Sequence, residues 1–114
     1  MKSFLNPNFR KLFKQLPKDI RISARKQYQI FKQNPYHASL HFKRVHSNKP
    51  IYSCRININY RTIGIIEENN IIWFWIGSHE DYNNILKNLK NMQNKISSFK
   101  QSAPTPSSKS LKMN

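Results

Sequence analysis

Arg55 and Arg61 stand six positions apart in "CRININYR", and His79 stands in "GSHEDY" with Tyr82 three residues on. A guanidinium is a planar fork that donates two hydrogen bonds to a phosphate and stays charged through a reaction. An imidazole titrates near neutrality and can give up a proton at physiological pH. Brought together, two arginines and a histidine can hold a phosphodiester, stabilise the charge that develops on it and protonate the departing oxygen. Tyr82, on the first turn of a helix, can stack on a base or orient the phosphate. Lys43 and Arg44, on a neighbouring strand segment, extend the same basic patch. A purely structural account stands beside this one. The arginines can be solvated sheet charges, Ser78 can cap a helix with Asp81 as its capping-box partner, Glu80 can favour the helix dipole, and Tyr82 can be core. That account leaves His79 without a role.

The elements that must position these residues are legible as periodicities. "IYSCRININY" alternates, with Tyr52, Cys54, Ile56 and Ile58 on an apolar face and Ser53, Arg55, Asn57 and Asn59 on a polar one. "YRTIGII" reads as the next strand, "EENN" as a tight turn and "IIWFWIG" as a central strand whose Trp73, Phe74 and Trp75 point alternately to the two faces. Short links imply an antiparallel meander. Upstream, "SFL" can be an edge strand. "NPNFRKLFKQL" places Phe9, Leu12, Phe13 and Leu16 at helical spacing behind an Asn6–Pro7 start. Pro17 interrupts, and a second helix runs through Ile20, Ala24, Tyr28 and Phe31 to Asn34–Pro35. "SLHFKRV" reads as a further strand, and Tyr82, Ile85, Leu86, Leu89 and Met92 predict a final helix. The expected fold is a small α+β domain over residues 1–96. In it a helical hairpin and a C-terminal helix pack on one side of a twisted antiparallel sheet of three to four strands. Residues 97–114, rich in Ser, Pro and Lys, predict a disordered basic tail.

The whole composition agrees with a polyanion partner. In 114 residues, 20 Lys and Arg face 5 Asp and Glu, a formal charge of +15. No acid lies between Ile20 and Ile66, where nine Lys or Arg and three His fall. One cysteine, Cys54, excludes an internal disulfide and sits at a core parity; with no long apolar run or leader-like start, a cytoplasmic protein without a membrane segment is expected. His37, His41 and His46 have no neighbouring acid or cysteine to complete a ligand set, so neither a metal nor another cofactor is expected.

The order of these features resembles the RelE/ParE toxin superfamily of bacterial type II toxin–antitoxin systems. "FRKLFKQLPKDIR", "NPYHASLHFKRV", "YSCRININYRTIG" and "IIWFWIGSHEDY" are similar to the RelE-type branch, over about Phe4 to Leu89. The resemblance implies a metal-independent endoribonuclease that cuts messenger RNA in the ribosomal A site by attack of the 2′-hydroxyl on the adjacent phosphate. By position, Arg55 and Arg61 would hold the phosphate, His79 would be the general acid, Tyr82 the aromatic group beside it, and Lys43 and Arg44 RNA-binding cations. It also implies a cognate antitoxin with an acidic segment, encoded alongside. Some relatives carry lysines at the positions of Ser53 and Arg55; Ser53 cannot serve as a base, so the base is unassigned. Two alternatives remain: a ParE-type gyrase poison without nuclease activity, and a non-catalytic RNA-binding protein.

Overall fold

The structure, a computed structural model, describes the backbone of residues 1–102 and the side chains of residues 1–90. Strand β1 (Lys2–Leu5) leads into helices α1 (Pro7–Lys14) and α2 (Lys18–Gln33). A 3-10 turn (Ala38–Leu40) and strands β2 (Lys43–Arg44), β3 (Ile51–Asn57), β4 (Tyr60–Glu67) and β5 (Asn70–Ser78) follow, and helix α3 (His79–Ser102) completes the fold. The sheet has five strands in the order β1-β5-β4-β3-β2. β2 to β5 form an antiparallel meander, and β1 adds to the β5 edge in parallel, with Lys2 opposite Asn70 and Leu5 opposite Trp73. The sheet thus has one more strand than expected and is mixed in direction.

Local chemistry accounts for the helix ends. Asn6 caps α1, its Oδ1 accepting from the Phe9 amide at 2.9 Å, and Pro7 occupies the first helical position. Pro17 separates α1 from α2, and Arg21 Nη1 reaches back to the Leu16 carbonyl at 2.6 Å, satisfying an acceptor at the corner. The turn between β4 and β5 puts Glu68 and Asn69 at positive φ (50° and 67°), the pattern of a type I′ hairpin turn.

Helices cover both faces of the sheet, which corrects the one-sided packing expected. On one face Phe9, Ile20, Ala24, Phe31 and Leu40 meet Cys54, Ile56, Ile71, Trp73 and Ile76. On the other, Ile51, Ile63, Phe74 and Trp75 pack with Tyr82, and Ile85, Leu86 and Leu89 of α3 close over them. α3 thus uses the helical face predicted for it, with Met92 outside the described side chains. Its backbone runs to Ser102, beyond the expected domain end at 96, and residues 103–114 of the expected tail lie outside the described residues.

Three further departures have one physical cause, an irregularity that strict alternation does not foresee. The register shifts between Arg55 and Asn57, and Ile58, expected in the core, is 69% exposed at the β3–β4 turn. A second shift at Ile63/Gly64 leaves Phe74 as an extra residue on β5. Trp73 therefore packs edge-on against Phe31 under the hairpin, while Phe74 and Trp75 both join the α3 side. In "SLHFKRV" only Lys43 and Arg44 are strand. Leu40 is instead a buried peg on the 3-10 turn, and His41 after it turns the chain with left-handed φ 46°.

Candidate active site

The β3–β4 ladder sets Arg55 directly opposite Arg61. Opposed residues of an antiparallel pair have Cα atoms about 4.5–5.5 Å apart and side chains on the same face. Arg61 is opposite Gly77 of β5, and Tyr60 is opposite Ser78, so β5 ends and α3 begins beside the same pair. The His79 amide donates to the Asn59 carbonyl at 2.7 Å, fastening the start of α3 to the β3–β4 turn. The two arginines and the histidine, separate in sequence, are thereby gathered at one end of the sheet.

The two guanidiniums are not equivalent. Arg61 Nη1 donates to the Asn57 carbonyl at 2.7 Å and to the Tyr60 carbonyl at 3.0 Å, which fixes its direction. Burial lowers the Arg61 pKa, the Arg55 charge lowers it further, and Tyr82 acts in the opposite sense. Two like charges held together by a backbone ladder repel, and an anion between them relieves that repulsion. This end of the sheet is therefore preorganised for a phosphate or another small anion.

His79 is exposed, and its ring stacks on Tyr82 with centroids 5.9 Å apart and planes 30° from parallel. Tyr82 is only 6% exposed. Its hydroxyl donates to Ser53 Oγ at 3.1 Å, and its far side meets Trp75 at 6.4 Å. The Tyr82 ring is a floor beneath His79, and Ser53, 2% exposed, anchors that floor from β3. Ser78 caps α3, with Oγ accepting from the Asp81 amide at 3.1 Å, as the sequence suggested, while Glu80 and Asp81 occupy the exposed first turn. The cap on this stretch therefore falls to Ser78 and not to His79.

Lys43 pairs with Ser53 and so lies on the face of Arg55. Arg44 pairs with Tyr52, takes the opposite parity, and its Nε donates to the His46 carbonyl at 3.0 Å. The structure brings Lys43 to the patch and leaves Arg44 turned away. Cys54 is buried, with its thiol pushed up to about 12 by desolvation, which removes thiolate chemistry at neutral pH. His37 Nδ1 accepts from the Ser39 amide at the 3-10 turn, and His46 Nδ1 accepts from the Asn48 and Lys49 amides. Among the described residues no three His, Cys, Asp or Glu side chains gather as a metal site.

Sequence reasoning missed three supports. These are the Asn57 and Asn59 carbonyls that hold Arg61 and His79, the Ser53–Tyr82 hydroxyl pair, and Gly77. A Cβ added at Gly77 would lie 2.6 Å from Cζ2 of Trp75, so only glycine lets that indole lie across the end of β5. With two glycines in the chain, one directly before the helix cap was a signal.

This fold is that of a small toxin domain. A family model described as ParE-like toxin domain matches residues 18–84, and the chain belongs to that family, within the RelE/ParE superfamily. The chain is similar in structure to RelE of the RelB–RelE antitoxin–toxin complex from Methanococcus jannaschii, at TM-score 0.60 and 17% identity, covering 72% of this chain and 96% of that one. It is also similar to YafQ from E. coli strain BL21(DE3), at TM-score 0.56 and 14% identity, covering 71% and 96%. A YoeB/ParE toxin from Agrobacterium tumefaciens gives TM-score 0.56 at 10% identity, covering 69% and 99%. No curated protein sequence matches the chain.

Proposed function

We propose that the chain is an endoribonuclease toxin that cuts messenger RNA, in the cytoplasm and on the ribosome, and is neutralised by a cognate antitoxin. The observation that carries this reading is the Arg55–Arg61 pairing, with His79 tied through Asn59 to the same turn. In the reaction, the ribose 2′-oxygen forms a bond to the adjacent phosphorus and the bond to the 5′-oxygen breaks, leaving a cyclic phosphate and a 5′-hydroxyl. Arg61, fixed by two carbonyls, and Arg55 opposite it bear the charge gathering on the phosphoryl oxygens. His79, exposed at the rim and stacked on Tyr82, delivers the proton to the departing 5′-oxygen. Tyr82 is a positioning residue here, because its hydroxyl is spent on Ser53 and its ring is covered. The same hydrogen bond keeps Ser53 out of the base's role, which stays unassigned.

The basic surface also supports a partner with an acidic segment, and the archaeal RelE neighbour was solved together with an antitoxin. In a translating extract, wild-type protein is expected to cut a reporter message, and His79→Ala to lose about 10²- to 10⁴-fold in rate, the range for a general acid. Equal cleavage by both would remove His79 from the mechanism. The name of the matching family favours a second reading, a ParE-type poison of DNA gyrase. Intact message with gyrase-dependent DNA breaks would select it.

A further inference from the structure

The two helices of the hairpin straddle the sheet. Helix α1 lies against β5 and α2 against β3, so the seam between them runs above β4, the strand in the middle. Beneath that seam is a cavity of about 440 Å³, on the sheet face opposite Arg55, Arg61 and Tyr82. Its cause is three small side chains placed together. Cys54 and Thr62 are cross-strand partners on the floor, and Ala24 lines the same space from α2. Ile56, Trp73 and Ile76 complete the floor, and Phe9, Phe13 and Phe31 stand as walls. The polar atoms of this lining are already committed. Thr62 Oγ1 donates to the Trp75 carbonyl at 2.7 Å, Trp73 Nε1 to Ser3 Oγ at 3.0 Å, and Gln27 Nε2 to the Arg55 and Ser39 carbonyls at 2.9 and 3.2 Å. The interior therefore offers a guest apolar contact and little else. An apolar cavity of about 150 Å³ stays dry and admits benzene, and this one is roughly three times as large.

The mouth of the cavity has the opposite character. Arg10 and Lys14, one turn apart on α1, and Arg25 on α2 stand at it, all three exposed, and the lining contains no acid. Arg25 reaches across the seam, its Cζ 5.1 Å from the centre of the Phe13 ring, so one guanidinium already spans from α2 to α1. Cations gathered without a counter-charge repel one another, and an anion held among them relieves that repulsion. A carboxylate suits a guanidinium in particular, because it accepts two parallel hydrogen bonds from the fork. A guest that satisfies both parts carries one negative head and an apolar body. We propose that the seam is a binding site for an amphipathic monoanion of the medium-chain fatty-acid class. Its hydrocarbon lies among Ala24, Cys54, Thr62 and Trp73, and its carboxylate is held by Arg10 and Arg25. A fully polar anion would meet the mouth alone and leave the apolar space unfilled. Bound there, the guest joins α1, α2 and the sheet from the face away from Arg55 and Arg61, so the assignment stands apart from the ribonuclease reading.

The test adds decanoate, decanol and acetate to the full-length protein, with decanoate kept below its micelle concentration. Calorimetry reads affinity and methyl NMR reads place. Decanoate is expected to bind as a single equivalent, to shift the methyl signals of Ala24, Leu40, Ile56 and Ile76, and to raise the melting temperature. Decanol, which has the same body without the charge, is expected to bind about tenfold more weakly, and acetate to leave those methyls unmoved. Arg10→Gln with Arg25→Gln, both at exposed helix positions, is expected to bring decanoate down to the affinity of decanol and to leave decanol unchanged. Ala24→Leu is expected to fill the cavity and abolish binding of both. Decanol binding as tightly as decanoate, or decanoate affinity untouched in the arginine pair, would overturn the anionic head. Shifts confined to surface residues, or persisting in folded Ala24→Leu protein, would overturn the cavity as the site.

Discussion

The residues at the end of the sheet are defined by what holds them. Arg61 is aimed by two backbone carbonyls, Arg55 by its place in the ladder, and His79 by an amide bond to Asn59 and the aromatic floor of Tyr82. The two functions of Tyr82 can be separated. Tyr82→Phe keeps the ring under His79 but leaves Ser53 Oγ buried without a partner, at a cost of about 1–3 kcal/mol measurable by urea unfolding. Its cleavage rate is expected to stay within about an order of magnitude of wild type, whereas loss of a general acid costs far more. A loss as large as that of His79→Ala would show that the tyrosine hydroxyl meets the substrate. The cluster itself was legible in the sequence, because strand parity put Arg55 on a polar face and His79 had no structural task. The Ser53–Tyr82 bond was not. A period of two says that Ser53 turns away from the hairpin core, but only the docking of α3 decides that its surroundings are buried.

At the scale of elements, the junction between β5 and α3 leaves little room for substitution. Gly77 opposes Arg61, Ser78 caps the helix, and the Trp75 indole fills the space beside Gly77. Gly77→Ala would bring a methyl to 2.6 Å from Cζ2 and 2.9 Å from Cη2 of Trp75, forcing the buried indole toward Tyr82. Overpacking of this kind costs about 1–3 kcal/mol. The variant is expected to melt earlier and to lose cleavage through displacement of the His79 floor, and unchanged melting would mean that the indole moves freely. The same junction shows why the helices and the meander could be read from the chain while the details of the sheet could not. Helix periodicity, Asn6–Pro7, Pro17 and Asn34–Pro35 are local signals that survive packing. Bulges at Ile56 and Phe74 each insert one residue into an otherwise alternating strand, and alternation alone places Ile58 inside and Phe74 opposite Trp75. The peg at Leu40 was hidden for a related reason, since a 3-10 turn with one buried residue looks like half a strand.

At the scale of the molecule, two cores share one sheet, and His46 lies where the β2–β3 connection meets α3. It is 6% exposed, Nδ1 accepts two amides, and Nε2 is buried without a hydrogen-bond partner. Burial lowers its pKa from 6.5, the Leu89 backbone opposes this in part, and Lys49, Arg44 and Lys90 add to the lowering. Because the folded-state value lies below the unfolded one, the neutral ring's contribution is complete above 6.5. As pH falls below that point the unfolded chain takes up the proton first, and stability declines until the folded site protonates as well. Urea midpoints are expected to fall between pH 7 and pH 5 in wild-type protein and to fall less in His46→Asn, which keeps an acceptor for the two amides but does not titrate. Identical slopes would place the titration elsewhere.

The parallel edge strand has a consequence in time. Trp73 Nε1 donates to Ser3 Oγ across 70 positions of chain, and Asn8 Nδ2 donates to the Phe74 carbonyl across 66. At translation rates of about 5–20 residues per second, the first strand and the apolar side of the hairpin wait about 4–14 s for their partner to be made. Contacts this distant also slow folding once the partner has emerged. A nascent chain halted before β5 already carries Arg55 and Arg61 but has neither the strand that seats the hairpin nor His79. The order of synthesis therefore withholds the assembled cluster until nearly the whole domain exists.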